Sequence, residues 1–78
     1  MKARIIVTLK ESVLDPQGQA IEDALAALGF DGIGSVRQGK IIDIELSDPA
    51  DAEARLKAMC EKLLANTVIE DYRVEMVG

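Results

Sequence analysis

Two Asp-Pro dipeptides, Asp15-Pro16 and Asp48-Pro49, punctuate the chain. An aspartate can cap the free amides that open a helix, and a proline at the first helical position surrenders an N–H that has no partner there anyway. Each dipeptide therefore predicts a helix start, with Asp15 and Asp48 as the caps. The flanking segments are also alike. Lys2 to Lys10 alternates: Ala3, Ile5, Val7 and Leu9 fall on one face, Lys2, Arg4, Thr8 and Lys10 on the other, with Ile6 as an apolar exception. Lys40 to Leu46 alternates in the same way, with Ile42, Ile44 and Leu46 inward and Ile41 beside Asp43 and Glu45 outward. Period two of this kind makes a half-buried strand.

Behind each dipeptide the period changes. Ile21, Ala24, Leu25 and Leu28 recur at helical spacing, as do Ala52, Leu56, Met59, Cys60 and Leu63. Each stripe is one core face of an amphipathic helix. Gly29 is placed to stop the first helix in the left-handed conformation. In the second helix, Asp51 with Arg55 and Glu53 with Lys57 are favourable pairs four residues apart. A short polar segment, Ser35 to Gln38, reads as a further strand, and Ile69 to Val77 as the last one, with Tyr72, Val74 and Met76 on one side.

The order is β-α-β-β-α-β in one α+β domain over residues 1–78. The simplest packing puts two helices on one face of a four-stranded, mainly antiparallel sheet, with ferredoxin-like topology as the default. The outward sheet face then carries Ile6, Ile41 and Ile69 among charges of both signs, and these three form a candidate self-association face.

A domain of 78 residues gains from association. The net charge of −5 argues against a nucleic-acid partner, which needs a positive footprint. The first ten residues are too charged for a secretory signal or a membrane span, so the expected location is the cytoplasm.

Catalytic chemistry is hard to assemble. The chain has no histidine and one cysteine. Cys60 sits in the apolar stripe of the second helix, where burial raises a thiol pKa and makes it inert. No metal-ligand spacing and no phosphate-binding loop occur; Gly32 and Gly34 precede a strand rather than a helix. No catalytic, cofactor-binding or metal-binding residue is nominated. Arg37-Gln38-Gly39-Lys40 is a different matter. Two cations flank a glycine where backbone can approach a neighbour closely, so Arg37, Gly39 and Lys40 are candidates for a contact with a partner protein or its anionic ligand.

Along nearly its whole length the chain resembles the PurS family, the small subunits of phosphoribosylformylglycinamidine synthase. The matching stretches are Val13-Leu14-Asp15-Pro16-Gln17-Gly18, Leu28-Gly29-Phe30, Val36-Arg37-Gln38-Gly39-Lys40, Lys62-Leu63-Leu64-Ala65-Asn66 and Val68-Ile69-Glu70-Asp71-Tyr72. Thr67 departs from the pattern, which commonly has proline after the asparagine.

The resemblance implies a non-catalytic assembly subunit of an ATP-dependent glutamine amidotransferase ligase in purine biosynthesis. Such a subunit forms dimers or tetramers, bridges a glutaminase and a synthetase, and assists ammonia transfer between them. ATP and magnesium would be used by the synthetase, with no cofactor on this chain. Asn66 and Glu70 then join Arg37, Gly39 and Lys40 as candidates for the partner interface. The competing reading is a small dimeric ligand-sensing regulatory module that binds an amino acid between its subunits.

Overall fold

A computed structural model describes residues 1–77, with side chains through Met76. Strand β1 (Lys2–Leu9) lies at the centre of a three-stranded antiparallel sheet, between β2 (Gly39–Glu45) and β3 (Glu70–Val77). The register follows the alternation. Ala3, Ile5 and Val7 of β1 stand opposite Ile44, Ile42 and Lys40 of β2 on one side, and Met76, Val74 and Tyr72 of β3 on the other. All three β1 side chains are buried.

Helix α2 (Ala52–Met59) covers that face. Ala52, Leu56 and Cys60 are buried with β1, and Ile42, Ile44, Met59, Leu64, Tyr72 and Val74 pack around them. The helix closes with a wider π-helical turn, Cys60–Leu64, in which the Ala65 N–H bonds to the Cys60 carbonyl at 3.0 Å. The Cys60 thiol belongs to the core, and burial pushes its pKa up.

Helix α1 (Pro16–Ala27) begins as its dipeptide requires: Asp15 caps it by accepting the Gly18 N–H at 2.8 Å. Its end is also as expected. Gly29 takes φ +92°, the Gly29 N–H bonds to the Ala26 carbonyl, and the Phe30 N–H reaches the Leu25 carbonyl, both at 3.1 Å. These two bonds satisfy carbonyls that a helix end would otherwise leave open.

Three expectations need correction. The first is that α1 does not lie on the sheet. It leaves from the end of β1, and residues 28–38 return beside its first turn, so the two limbs form an arm. The apolar stripe is largely open to solvent: Ile21 is 40% exposed and Leu28 74%. The chain is correspondingly long, with a radius of gyration of 15.9 Å, where a compact domain of this length has about 11.5 Å.

The second correction concerns Ser35 to Gln38, which forms no strand, leaving three strands in place of four. The backbone there is committed to the arm. The Val36 carbonyl is packed against Gly18, and the Gln38 N–H bonds to Asp15. The third is that Asp48 does not cap α2. Its carboxylate accepts the Ala50 N–H at 2.9 Å in a local turn, and the helix starts three residues later from Asp51, whose φ is +54°. A side chain two residues from an available amide closes a turn as readily as it caps a helix. A smaller shift places Ile69 in the turn before β3.

Candidate functional site

The root of the arm is where most of the nominated partner-facing residues meet. Asp15 is nearly fully buried there and makes two hydrogen bonds. Its Oδ1 takes the Gly18 N–H, and its Oδ2 takes the Gln38 N–H at 2.7 Å, so one carboxylate ties both limbs of the arm. These amides hold the Asp15 pKa below the usual carboxylate range, Gln38 having the larger effect and the Arg37 charge adding to it.

Arg37 closes the other side of the root. Its guanidinium donates to the Lys10 carbonyl at 2.8 Å and to the Val13 carbonyl at 2.9 Å. That pins the returning limb to the loop between β1 and α1. A candidate for a partner contact by sequence, Arg37 is a structural tie in the fold.

Gly39 follows directly. It pairs with Thr8 in the sheet, and a Cβ at this position would lie 2.6 Å from the Val7 carbonyl oxygen and 2.8 Å from the Thr8 methyl. Only a residue without a side chain fits. Lys40, next along, joins Gly39, Gln38, Asp15 and Glu70 around a recess of about 250 Å³ floored by Val7 and Leu9. Lys40 makes no ion pair among the described residues.

Asn66 and Glu70 enter from the other edge. The Glu70 carboxylate accepts the Asn66 N–H at 2.7 Å, and the Asn66 carbonyl accepts the Ile69 and Glu70 N–H groups. The Asn66 side chain also takes the Val68 N–H at 3.2 Å. The pair locks the turn into β3, so Thr67 needs no proline ring to hold it. The fold thus brings Gly39, Lys40 and Glu70 to one recess, with Arg37 behind it and Asn66 attached through Glu70.

The outward sheet face is arranged differently. Ile6 stands opposite Ile41, which is 62% exposed, while Ile69 lies outside the strand. The charges around them pair within the chain: Arg4 with Asp43, Lys10 with Asp71, and Arg73 with Glu75, each at 3.0 Å.

By sequence, Asp15 reads only as a helix cap and Gly18 is not singled out, although a glycine in the first turn of a helix costs stability and can mark a close neighbour. Among the described residues, no three His, Cys, Asp or Glu side chains are grouped to hold a metal ion. No helix among them is long and apolar enough to cross a membrane.

Comparison with known proteins gives a consistent result. The PurS family profile, described as phosphoribosylformylglycinamidine (FGAM) synthase, matches residues 2–78. The phosphoribosylformylglycinamidine synthase subunit PurS of Bacillus subtilis is 53% identical over 77 residues, covering 96% of this chain and 90% of that protein. A crystal structure of B. subtilis PurS superposes with a TM-score of 0.87 at 49% identity, covering 95% of this chain and 94% of the other. A chain of the PurLQS structure from Thermotoga maritima superposes with a TM-score of 0.82 at 33% identity, covering 97% and 95%. Alignments of that extent run through the arm as well as the sheet.

Proposed function

The chain belongs to the PurS family of phosphoribosylformylglycinamidine synthase subunits, and from that membership we propose that it is the non-catalytic subunit joining the glutaminase and synthetase of that enzyme. The synthase acts in purine biosynthesis, and the chain is one of its subunits. The observation that carries the assembly role is the near full-length match to a chain of PurLQS, in which PurS stands together with its partner subunits. On this reading the small subunit holds the two enzymes in register so that ammonia passes between them. ATP and magnesium belong to the synthetase, and the location is the cytoplasm.

Lys40 is the side chain we assign to the partner contact. Gly39 lets backbone approach closely beside it, and Glu70 and Asn66 form the opposite rim. Arg37 acts mainly by holding the limb that presents them. Ile6 and Ile41 form a self-association surface on the outward sheet face, with Ile69 at its border. Their neighbouring charges are already paired within the chain, which leaves the apolar side chains as the attractive part. The ferredoxin-like layering of two helices on one sheet face is proposed for the assembled protein, since in a single chain α1 lies off the sheet.

Reconstitution tests the assignment. Glutamine-dependent synthesis by the synthetase and glutaminase should require this chain, whereas ammonia-dependent synthesis by the synthetase alone should not. An unchanged glutamine-dependent rate without the chain would remove the assembly role. Turnover of glutamine or ATP by the purified chain, lost on mutating one of its residues, would remove the non-catalytic one.

A further inference from the structure

Beyond α1 the chain turns back through Asp31, Gly32, Ile33 and Gly34, all exposed and outside any helix or strand. An aspartyl side chain can be attacked by the backbone nitrogen of the next residue, because the ring that closes has five members. The nitrogen must carry a proton, must not be crowded, and must not be held by a hydrogen bond or by regular structure. Most positions in this chain fail one of these conditions. Asp15 and Asp48 precede prolines, which have no N–H. Asp23 lies inside α1, and Asp43 and Asp71 lie within strands. Asp51 is followed by Ala52, whose N–H bonds to the Pro49 carbonyl. Asn66 is followed by β-branched Thr67, and its side chain already takes the Val68 N–H.

Asp31 meets every condition. It is the one aspartate followed by glycine, so no side chain crowds the nitrogen. A Cβ placed on Gly32 would meet nothing within 4 Å, so the turn is open around the reacting atoms. Among the described residues, the Asp31 carboxylate makes no ion pair and the Gly32 N–H bonds to no backbone carbonyl. We propose that Asp31-Gly32 is a site of spontaneous covalent modification, at which the aspartate isomerises to isoaspartate. The Gly32 nitrogen attacks Asp31 Cγ and a C–N bond forms. The nitrogen gives up its proton, the carboxyl gives up its hydroxyl, and the two leave as water. Water then adds to either carbonyl of the five-membered imide. Opening at one carbonyl restores aspartate. Opening at the other leaves the main chain running through Cβ and Cγ, one atom longer, with the former backbone carboxyl as the side chain. Nothing is oxidised or reduced, and composition and charge return to their starting values. The lengthened turn lies where the returning limb leaves α1, ahead of the Gln38 tie to Asp15. The proposal does not depend on the synthase reading.

Ageing of the full chain tests it. The protein is held for weeks at neutral pH, below its melting temperature. Isoaspartyl carboxyls are then counted by methyl transfer from labelled S-adenosylmethionine, using a protein isoaspartyl methyltransferase. Trypsin leaves Asp15, Asp23 and Asp31 in one peptide, residues 11–37, so electron-based fragmentation places the change. Isoaspartate should accumulate at Asp31 and to no comparable extent at the other two. Its rate should be within severalfold of that in a free peptide of residues 28–35, since the loop offers no restraint. Gly32→Ala crowds the nitrogen and should slow the change severalfold. Asp31→Glu keeps the charge and the glycine but needs a six-membered ring, so the signal should be lost while circular dichroism stays that of the parent. A folded chain that remains unmodified while the free peptide isomerises would overturn the proposal. So would isoaspartate spread evenly over the three aspartates, or an Asp31→Glu chain that gains signal as fast as the parent.

Discussion

Asp15 and Gln38, 23 residues apart in sequence, are joined by a 2.7 Å hydrogen bond from the Gln38 backbone N–H to the Asp15 carboxylate. The other carboxylate oxygen caps α1 through the Gly18 N–H. A helix cap has thereby become a long-range tie. The direction in which the arm leaves the sheet depends on it, and so does the placing of Gly39 and Lys40 beside the recess.

Replacing Asp15 with Ala should therefore do more than fray a helix end. The melting temperature should fall by roughly 4–8 °C, the usual result of losing a good cap in a domain this small. The Gln38 amide, far along the chain, should exchange with solvent much faster. Asp15→Asn keeps one acceptor oxygen and should fall between the two. Hydrogen exchange read by NMR decides the matter: an unchanged Gln38 rate in Asp15→Ala would mean that the tie does not hold in solution.

The same carboxylate sets a pH dependence. The Gln38 and Gly18 amides lower the Asp15 pKa in the folded chain, so its contribution to stability is present above the unfolded pKa and is lost as pH falls through the folded one. Asp43, lowered by its hydrogen bond with Arg4, moves in the same direction and destabilises parent and variant alike. The difference between parent and Asp15→Ala isolates Asp15. Denaturant midpoints measured from pH 7 down to pH 2 should be well separated at the top of this range and converge at the bottom. A gap that stays constant would assign the stabilisation to something other than the ionised carboxylate.

How much could be read from the residues depends on the range of the interaction. The inward faces of β1, β2 and β3 follow their alternation residue for residue, because a strand with one buried face tolerates no slip in register. The end of α1 at Gly29 and the buried Cys60 are equally local. Asp48 shows the limit: the same Asp-Pro dipeptide that caps α1 here closes a turn through Ala50, and nothing in the dipeptide itself separates the two outcomes. The stripe of α1 is the deeper case. Ile21, Leu25 and Leu28 state that this helix must be covered, but periodicity does not say by which chain. Ser35 to Gln38 reads as a short polar strand and forms none. Its amide and carbonyl partners, Asp15 and the close approach at Gly18, lie across the arm and are invisible in a local window.

Gly18 offers a test of how closely the limbs are held. In an isolated helix, alanine is better than glycine by ~1 kcal/mol. Here an added Cβ would run into the Val36 carbonyl oxygen and come within 3.0 Å of the Asp15 carboxylate. The Asp15 carboxylate is held by the Gly18 and Gln38 amides, and the Val36 carbonyl is backbone of the limb that Gln38 ties, so relieving the clash means loosening the tie. Gly18→Ala should therefore lower the melting temperature despite its propensity advantage. A variant more stable than the parent would show that the returning limb is not seated against α1.

Arg37 and Lys40 flank the same glycine in the sequence, and the fold separates their roles. Arg37 donates to two backbone carbonyls of the preceding loop, whereas Lys40 stands at the mouth of the recess without an ion pair among the described residues. Removing Arg37 leaves the Val13 carbonyl to water and the Lys10 carbonyl with the Val13 N–H. Because the site is exposed, the loss should be modest, about 1 kcal/mol, and visible as a lower melting temperature. Lys40→Ala should leave the melting temperature within experimental error of the parent, as exposed charges contribute little. In reconstituted synthase the order should reverse. A charge desolvated at an interface is worth roughly 2–5 kcal/mol of binding, so Lys40→Ala should raise the concentration of this subunit needed for half-maximal glutamine-dependent synthesis at least tenfold. Arg37→Ala should raise it only as far as the limb loosens. Ammonia-dependent synthesis should be the same with every variant. If Lys40→Ala assembles and supports synthesis as the parent does, the partner contact lies elsewhere, and the opposite rim at Glu70 and Asn66 is the next place to substitute.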